Sequence, residues 1–323
     1  MPFHAKSRTA EFELIERYFY RPTHHTLLGI GDDAALIEVS TGHVLAVSSD
    51  TLVENRHFFS DVDPYRLGHK ALAVNLSDMA AMGALPRWFT LAVSLPEIDQ
   101  QWLKYFTQGL FDIADRFQVE LIGGDTTRGP LTIGIQIMGE VMSARALKRR
   151  GAQVGDEIWV SGRVGGAALA VAWKNQEIQL TSEIADQCLI DLDMPEPRVG
   201  LGNALSLRGL ANSAIDISDG ILADLGHILE QSCVGAQIYW DKIPMHPLAQ
   251  NEIRYFSGGD DYELCFTASP ENHDRILALG EELFLPLTPI GQITEAPEYL
   301  LYTSQNIPID LSETITGFDH FEK

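Results

Sequence analysis

The spacing of apolar residues predicts strands alternating with helices over most of the chain. Residues 43–48, 87–95, 119–122 and 131–141 are short apolar runs bounded by turn residues, as strands are. Between them, residues 64–82 and 99–117 carry apolar positions at the helical period. A run at 157–161 opens a second series. There, 166–174, 182–191, 221–232 and 270–283 read as helices, and 236–240, 262–267 and 299–302 as strands. The stretch 143–156 is the most basic in the chain, contains Gly151 and Gly155, and immediately precedes that second series. It marks an expected boundary between domains at 1–150 and 151–323. The alternation predicts an α/β or α+β fold, with no solenoid period and no low-complexity tract.

Composition narrows the function classes. The 323 residues are 45% hydrophobic and 21% charged, enough apolar material for two cores. Charged residues interrupt the first 17 positions, so no signal-peptide pattern is visible there. The most apolar region, 71–95, is broken by Asn75, Asp78 and Arg87, short of the roughly 18 apolar residues a membrane helix needs. Cys188, Cys233 and Cys265 are odd in number and widely spaced, which fits neither a disulfide framework nor a zinc site. A soluble, cytoplasmic protein with reduced thiols is the expectation. The net charge of −22 lacks the electrostatic footprint of a nucleic-acid binder. That charge is uneven: residues 1–150 hold 15 basic and 18 acidic side chains, a net of −3, whereas 151–323 carry −19.

The candidate chemistry lies in a repeated local pattern, an apolar run ending in small residues and then aspartate. It occurs at 28–33 (Leu-Gly-Ile-Gly-Asp-Asp), 44–50 (Val-Leu-Ala-Val-Ser-Ser-Asp), 119–125 (Val-Glu-Leu-Ile-Gly-Gly-Asp) and 214–220 (Ala-Ile-Asp-Ile-Ser-Asp-Gly). Aspartate, glycine and serine are also what turns are made of. Four such segments, none containing a lysine or arginine, point instead to hard oxygen donors for a divalent cation. Asp78 adds to them, because it sits in a predicted helix of almost wholly small and apolar residues, where a buried carboxylate needs a partner. The alternative for Asp78 is a solvent-facing side shared with Ala71 and Asn75. A weaker echo links Gly123-Gly124-Asp125, expected to close a strand, with Gly258-Gly259-Asp260-Asp261.

Common nucleotide-binding loops are missing. None of the seven lysines follows a glycine, which excludes a Gly-x-x-x-x-Gly-Lys-Ser/Thr loop, and the protein-kinase motif set is absent. Residues 29–34 satisfy the loose Gly-x-Gly-x-x-Ala pattern, but two aspartates inside that loop would repel a pyrophosphate unless metal ions intervened.

Taken in order, residues 29–35 (Gly-Ile-Gly-Asp-Asp-Ala-Ala), 48–53 (Ser-Ser-Asp-Thr-Leu-Val), 70–84 (Lys-Ala-Leu-Ala-Val-Asn-Leu-Ser-Asp-Met-Ala-Ala-Met-Gly-Ala), 123–127 (Gly-Gly-Asp-Thr-Thr), 216–220 (Asp-Ile-Ser-Asp-Gly) and 257–264 (Ser-Gly-Gly-Asp-Asp-Tyr-Glu-Leu) resemble the thiamine-monophosphate kinase family. The likeness spans nearly the whole chain and extends to Gly-Phe-Asp-His-Phe at 317–321. It implies the two-domain α/β fold shared with aminoimidazole ribonucleotide synthetase, with an N-terminal domain that forms a β-barrel across a homodimer interface. By the same resemblance ATP binds mainly to the N-terminal domain and thiamine monophosphate is the substrate. Asp33, Ser48, Ser49, Asp50, Asp78, Asp125, Asp216 and Asp219 correspond to Mg2+ ligands. Gly124, Asp125, Arg149 and Ser218 correspond to nucleotide contacts, and His57, Asp260 and Phe318 to substrate contacts. Two positions depart from the family pattern. Asp260 stands where glutamate is common, and Phe318 where tryptophan or tyrosine is frequent.

The implied reaction is direct in-line transfer of the ATP γ-phosphoryl group to the phosphate of thiamine monophosphate. The acceptor phosphate, with a second pKa of about 6, is mostly dianionic at neutral pH, so no general base is expected. The obstacle is repulsion between two anions in a site lined by carboxylates, which several Mg2+ ions would relieve. Another ATP-dependent enzyme of the same superfamily is the nearest rival. A non-enzymatic acidic calcium-binding protein is a more distant one, since EF-hand loops are absent.

Overall fold

In a computed structural model, residues 10–250, 252–256, 258–295, 299–302 and 307 are described. The chain divides into two units, one built from the chain up to Asn75 together with Pro86–Glu140, the other from Leu76–Leu85 together with Val141 onward. Among the described residues no helix is long and apolar enough to cross a membrane.

The first unit opens with α1 (Ala10–Leu14), continued by one π-helical turn, Ile15–Phe19. Then come β1 (His43–Val53), α2 (Pro64–Ala81), β2 (Leu85–Leu95), α3 (Gln100–Phe117), β3 (Glu120–Arg128) and β4 (Thr132–Met142). The four strands form one sheet in the order β1-β4-β2-β3, and β2 and β3 run parallel, joined by α3. Asp99 stops the strand-like backbone and starts α3, its side chain accepting from the N–H groups of Gln101 (2.8 Å) and Trp102 (3.1 Å). Helices α2 and α3 approach at reciprocal glycines. A Cβ on Gly68 would stand 2.0 Å from the Phe106 carbonyl oxygen, and one on Gly109 would stand 1.8 Å from that of Tyr65. Helix α2 is buried at every position from 67 to 77, including Lys70 and Asn75. Ala71 and Asn75 therefore do not face solvent, and Asp78, the third residue of that side, is half-buried. The division between units passes through α2 after Asn75, so Ser77 and Asp78 belong to the second unit.

That second unit contains β5 (Glu157–Ser161), α4 (Gly166–Lys174), α5 (Ser182–Asp193), α6 (Val199–Arg208), β6 (Ser213–Asp216), α7 (Ile221–Ser232), β7 (Gly235–Tyr239), β8 (Leu264–Ala268), α8 (His273–Leu283), β9 (Leu287–Thr294) and β10 (Tyr299–Tyr302). Its six-stranded sheet has the order β10-β7-β9-β5-β8-β6, antiparallel except for the β10–β7 pair. Both units are thus α/β with mixed connectivity, and neither sheet closes into a barrel among the described residues.

Several elements differ from the sequence expectation for identifiable reasons. Strand β3 does not close at Gly123 but runs on to Arg128, because Ile122 is extruded from the pairing: Leu121 faces Phe89 and Gly123 faces Thr90. Strand β8 begins at Leu264 rather than Tyr262, since Asp260 and Tyr262 hold left-handed backbone (φ 67° and 50°) that no strand continues. Residues 270–272 form a 3-10 turn ahead of α8. Strand β9 contains Pro289 and Gly291 and does not read as a strand. Its irregularity is accommodated where Ile158 pairs with Gly291 and Trp159 with Pro289, skipping Ile290. Helix α6, with two glycines in ten residues, and α1 likewise gave no periodic signal.

Candidate active site

In the first unit, the loop 30–35, the helical segment 12–20 and the strands β2 and β3 enclose a cavity of about 760 Å3. That volume suits a nucleotide-sized ligand. Phe12, Ile15, Phe19 and Tyr20 give it an apolar wall, while Asp32, Asp33 and Asp125 supply carboxylates. Ala35 and Ile37 anchor the aspartate loop by packing against the buried cluster of Trp88, Ile122 and Met138. The extrusion of Ile122 ends the buried stretch of β3 and leaves Gly124 and Asp125 exposed. Gly124 has φ 154°, and a Cβ there would lie 1.9 Å from the Leu91 carbonyl oxygen, so only glycine lets β3 lie this close to β2. Asp33 and Asp125 line one cavity and make no ion pair among the described residues.

On β1 the side chains alternate. Ala46, Ser48, Asp50 and Leu52 share the covered face, whereas Leu45, Val47, Ser49 and Thr51 share the open one. Ser48 and Asp50 therefore present their side chains together, and Ser49 is out of phase with them. His57 follows β1 in the connection to α2. Its Nδ1 accepts from the Val53 N–H (2.9 Å), and its carbonyl oxygen accepts from the buried Lys70 ammonium (3.3 Å). The ring orientation and backbone of His57 are thus both held from within the first unit.

In the second unit, Asp216 is the last residue of β6 and only 6% exposed. Its Oδ2 accepts from the Ser77 hydroxyl at 2.8 Å, which brings the end of α2 and the end of β6 together. Burial pushes the Asp216 carboxyl up to about 7, and the Asp78 carboxylate pushes the same way, with the Ser77 hydrogen bond and the Arg149 guanidinium opposing. A buried carboxyl raised by a second, half-buried acid is the arrangement a divalent cation relieves. The loop that follows carries Ser218 and Asp219, both half-buried. Asp224 in the first turn of α7 is buried, and its carboxyl is pushed up to about 8 chiefly by that burial.

Asp260 lies beside this loop. Its N–H donates to the Ser218 carbonyl oxygen (2.9 Å), and its Oδ1 accepts from the Tyr262 hydroxyl (3.0 Å). Three residues on, buried Glu263 is bound by Arg198 (Nε to Oε2, 2.7 Å) and by the Ser161 hydroxyl (2.6 Å), which fixes the strand that the Asp260 loop enters. Phe318 lies outside the described residues.

Among the described residues, no three His, Cys, Asp or Glu side chains form a ready-made metal cage. The donors here are all oxygens, the kind preferred by Mg2+, a cation that takes one or two carboxylates plus substrate phosphates and keeps several waters. Sequence reasoning did not find the 12–20 wall, whose alternating charges hide its apolar side, nor Asp224, an unremarkable acid in an amphipathic helix.

Residues 31–141 match the family described as AIR synthase related protein, N-terminal domain, and residues 153–302 match its C-terminal domain. The thiamine-monophosphate kinase of Escherichia coli strain K12 is 46% identical over 323 residues, covering 96% of this chain and 98% of that protein. Among solved structures, thiamine-monophosphate kinase from Stenotrophomonas maltophilia K279a is 42% identical with a TM-score of 0.80, covering 90% of this chain and 94% of that one. Another, AaThiL complexed with AMPPCP and TMP, is 28% identical with a TM-score of 0.76, covering 90% and 92%.

Proposed function

The chain belongs to the thiamine-monophosphate kinases, a family of AIR synthase related enzymes, and on that premise we propose that it transfers the γ-phosphoryl group of ATP directly to the phosphate of thiamine monophosphate, giving thiamine diphosphate and ADP. The observation that carries the reading is the buried Asp216 at the end of β6, bound by the Ser77 hydroxyl and raised both by burial and by the Asp78 carboxylate. In the first unit, Asp33, Ser48, Asp50 and Asp125 serve as Mg2+ ligands by their side chains and Ser49 by its backbone. In the second, Asp78, Asp216 and Asp219 do so. When bound, the metal ions neutralise the phosphates and hold donor and acceptor in line.

The protein's own groups supply the rest. The cavity behind Asp33 takes the nucleotide, its apolar wall against the base and the Gly124 backbone against the phosphates. Arg149 and Ser218 are the further nucleotide contacts of this reading. His57, Asp260 and Phe318 contact the thiamine monophosphate, and the shorter Asp260 is compensated by a backbone fixed through Ser218. No side chain acts as general base, because the acceptor phosphate, with a second pKa of about 6, arrives largely deprotonated. The reading places nucleotide chemistry mainly within 1–150, in a cytoplasmic homodimer whose N-terminal sheets join through β1.

The test is a coupled assay of the purified protein. Thiamine monophosphate should stimulate Mg2+-dependent ADP release, with thiamine diphosphate as the phosphorylated product, and aminoimidazole precursors should not. Asp78→Asn should lower turnover by about 10²-fold or more at saturating Mg2+. Near-normal turnover in that variant, or ADP release indifferent to thiamine monophosphate, would refute the assignment.

A further inference from the structure

Asp224 receives three hydrogen bonds on one carboxylate oxygen, from three successive backbone N–H groups. Oδ2 accepts from Ser218 (3.0 Å), Asp219 (3.0 Å) and Gly220 (3.1 Å). The loop is therefore wrapped around an internal carboxyl oxygen rather than around a ligand. Its other side is held too: the Ser218 carbonyl oxygen accepts from the Asp260 N–H (2.9 Å), and Ile217 exchanges hydrogen bonds with Glu263 and Tyr262, its N–H donating to the Glu263 oxygen and its own oxygen accepting from the Tyr262 N–H (both 2.8 Å). Asp224 itself is 2% exposed in the first turn of α7, so it is enclosed behind the loop.

We propose that Asp224 is a positioning residue for phosphoryl transfer: by gathering the 218–220 amides it sets Asp216, Ser218 and Asp219 in place and, through the Ser218–Asp260 hydrogen bond, ties the substrate loop to the same frame. This rests on the kinase reading for what the loop binds, but not for how the loop is built. Without the Asp224 oxygen, three N–H groups lose their acceptor, and the loop relaxes toward conformers that no longer preset its side chains.

The test compares wild type with Asp224→Ala and Asp224→Asn. In the first arm, on metal-free protein without nucleotide, hydrogen exchange read by mass spectrometry should show residues 218–220 exchanging about tenfold or more faster in Asp224→Ala. The rise should be smaller in Asp224→Asn, whose amide oxygen still accepts. The α5 segment should keep its wild-type exchange, which separates local release from general unfolding. In the second arm, the Mg2+ concentration giving half-maximal ADP release should rise about tenfold in Asp224→Ala and less in Asp224→Asn, since loosening a ligand loop weakens metal binding more than it alters a cavity elsewhere. Wild-type exchange and Mg2+ dependence in both variants would overturn the proposal. So would protection lost evenly across the unit with unchanged Mg2+ dependence, the signature of a purely structural role. If Asp224→Ala does not fold, Asp224→Asn decides by the same two readings. A wild type that shows no thiamine-monophosphate-dependent ADP release would sink the kinase reading, while the exchange arm would still judge the loop.

Discussion

At the scale of single residues, the acids of this chain divide by what answers their charge. Glu140, near the end of β4, is answered fully: the Ser40 N–H and hydroxyl and the Arg87 guanidinium all bind it. Burial alone would raise its carboxyl, but these partners outweigh burial and hold it below the ordinary glutamate value. A folded-state pKa below the unfolded one means that the group stabilises the protein above the unfolded value, and that this contribution is lost as pH falls through the folded one. Glu140→Gln should therefore cost about 1–3 kcal/mol in urea unfolding at pH 7. The gap between variant and wild type should shrink below about pH 4. A gap that stays constant down to pH 3 would show that packing, not the ionised form, is what Glu140 contributes. Asp216 is the opposite case. Burial and the Asp78 carboxylate both raise it, and that contrast, invisible in a string where both read simply as acidic, is what separates Glu140 from the carboxylates of the proposed site. Asp78 was legible because it interrupts an apolar helix. Asp224 was not, because an acid in the first turn of a helix is ordinary whether or not it holds a loop.

At the scale of elements, α2 shows what periodicity reveals and what it hides. Its length and type follow from its apolar spacing, and so does the cost of burying Asp78. The pattern does not reveal that α2 lies against α3 backbone to backbone, because the signal is two glycines, Gly68 and Gly109, which propensity counts as weaknesses in a helix. Each is instead required by the other helix's carbonyl oxygen. Gly109→Ala places a methyl 1.8 Å from the Tyr65 carbonyl oxygen, where backbone must give way. We expect a loss of about 1–3 kcal/mol in stability, as overpacking typically costs. Turnover should fall as well, since a displaced α2 carries Asp78 with it. A variant with unchanged thermal midpoint would show that the two helices separate freely and that the tight crossing has no function. Two of the elements that were missed share one cause. Strand β9 and helix α6 contain Gly or Pro at positions where tertiary pairing overrides local preference, through the skipped Ile290 in β9 and through the approach of Gly202 to the Ala80 carbonyl oxygen in α6.

At the scale of the whole molecule, the four-stranded sheet of the first unit leaves an unresolved demand. Strand β1 is an edge, eleven residues long, and Val44, Leu45 and Val47 on it are 45%, 37% and 53% exposed. A long apolar edge of this kind invites pairing, and proteins that stay monomeric usually break it with devices such as lysine or proline, neither of which β1 contains. A second copy of the chain is the partner the proposed reading calls for, with β1 at the joint. The alternation along β1 gives that joint a functional consequence, because Val47 and Ser49 share the open face while Ser48 and Asp50 take the other. Covering the open face would fix the strand that carries the proposed metal ligands without using their side chains. Val47→Lys puts a charge in the middle of that face. Light scattering should then give the 35.7 kDa mass of one chain where the wild type gives twice that. The half-saturating Mg2+ concentration should rise at the same time, because a freed β1 holds Ser48 and Asp50 less firmly. A wild type that is monomeric at micromolar concentration and fully active would remove the need for a partner on β1 and leave its apolar face to be explained in another way.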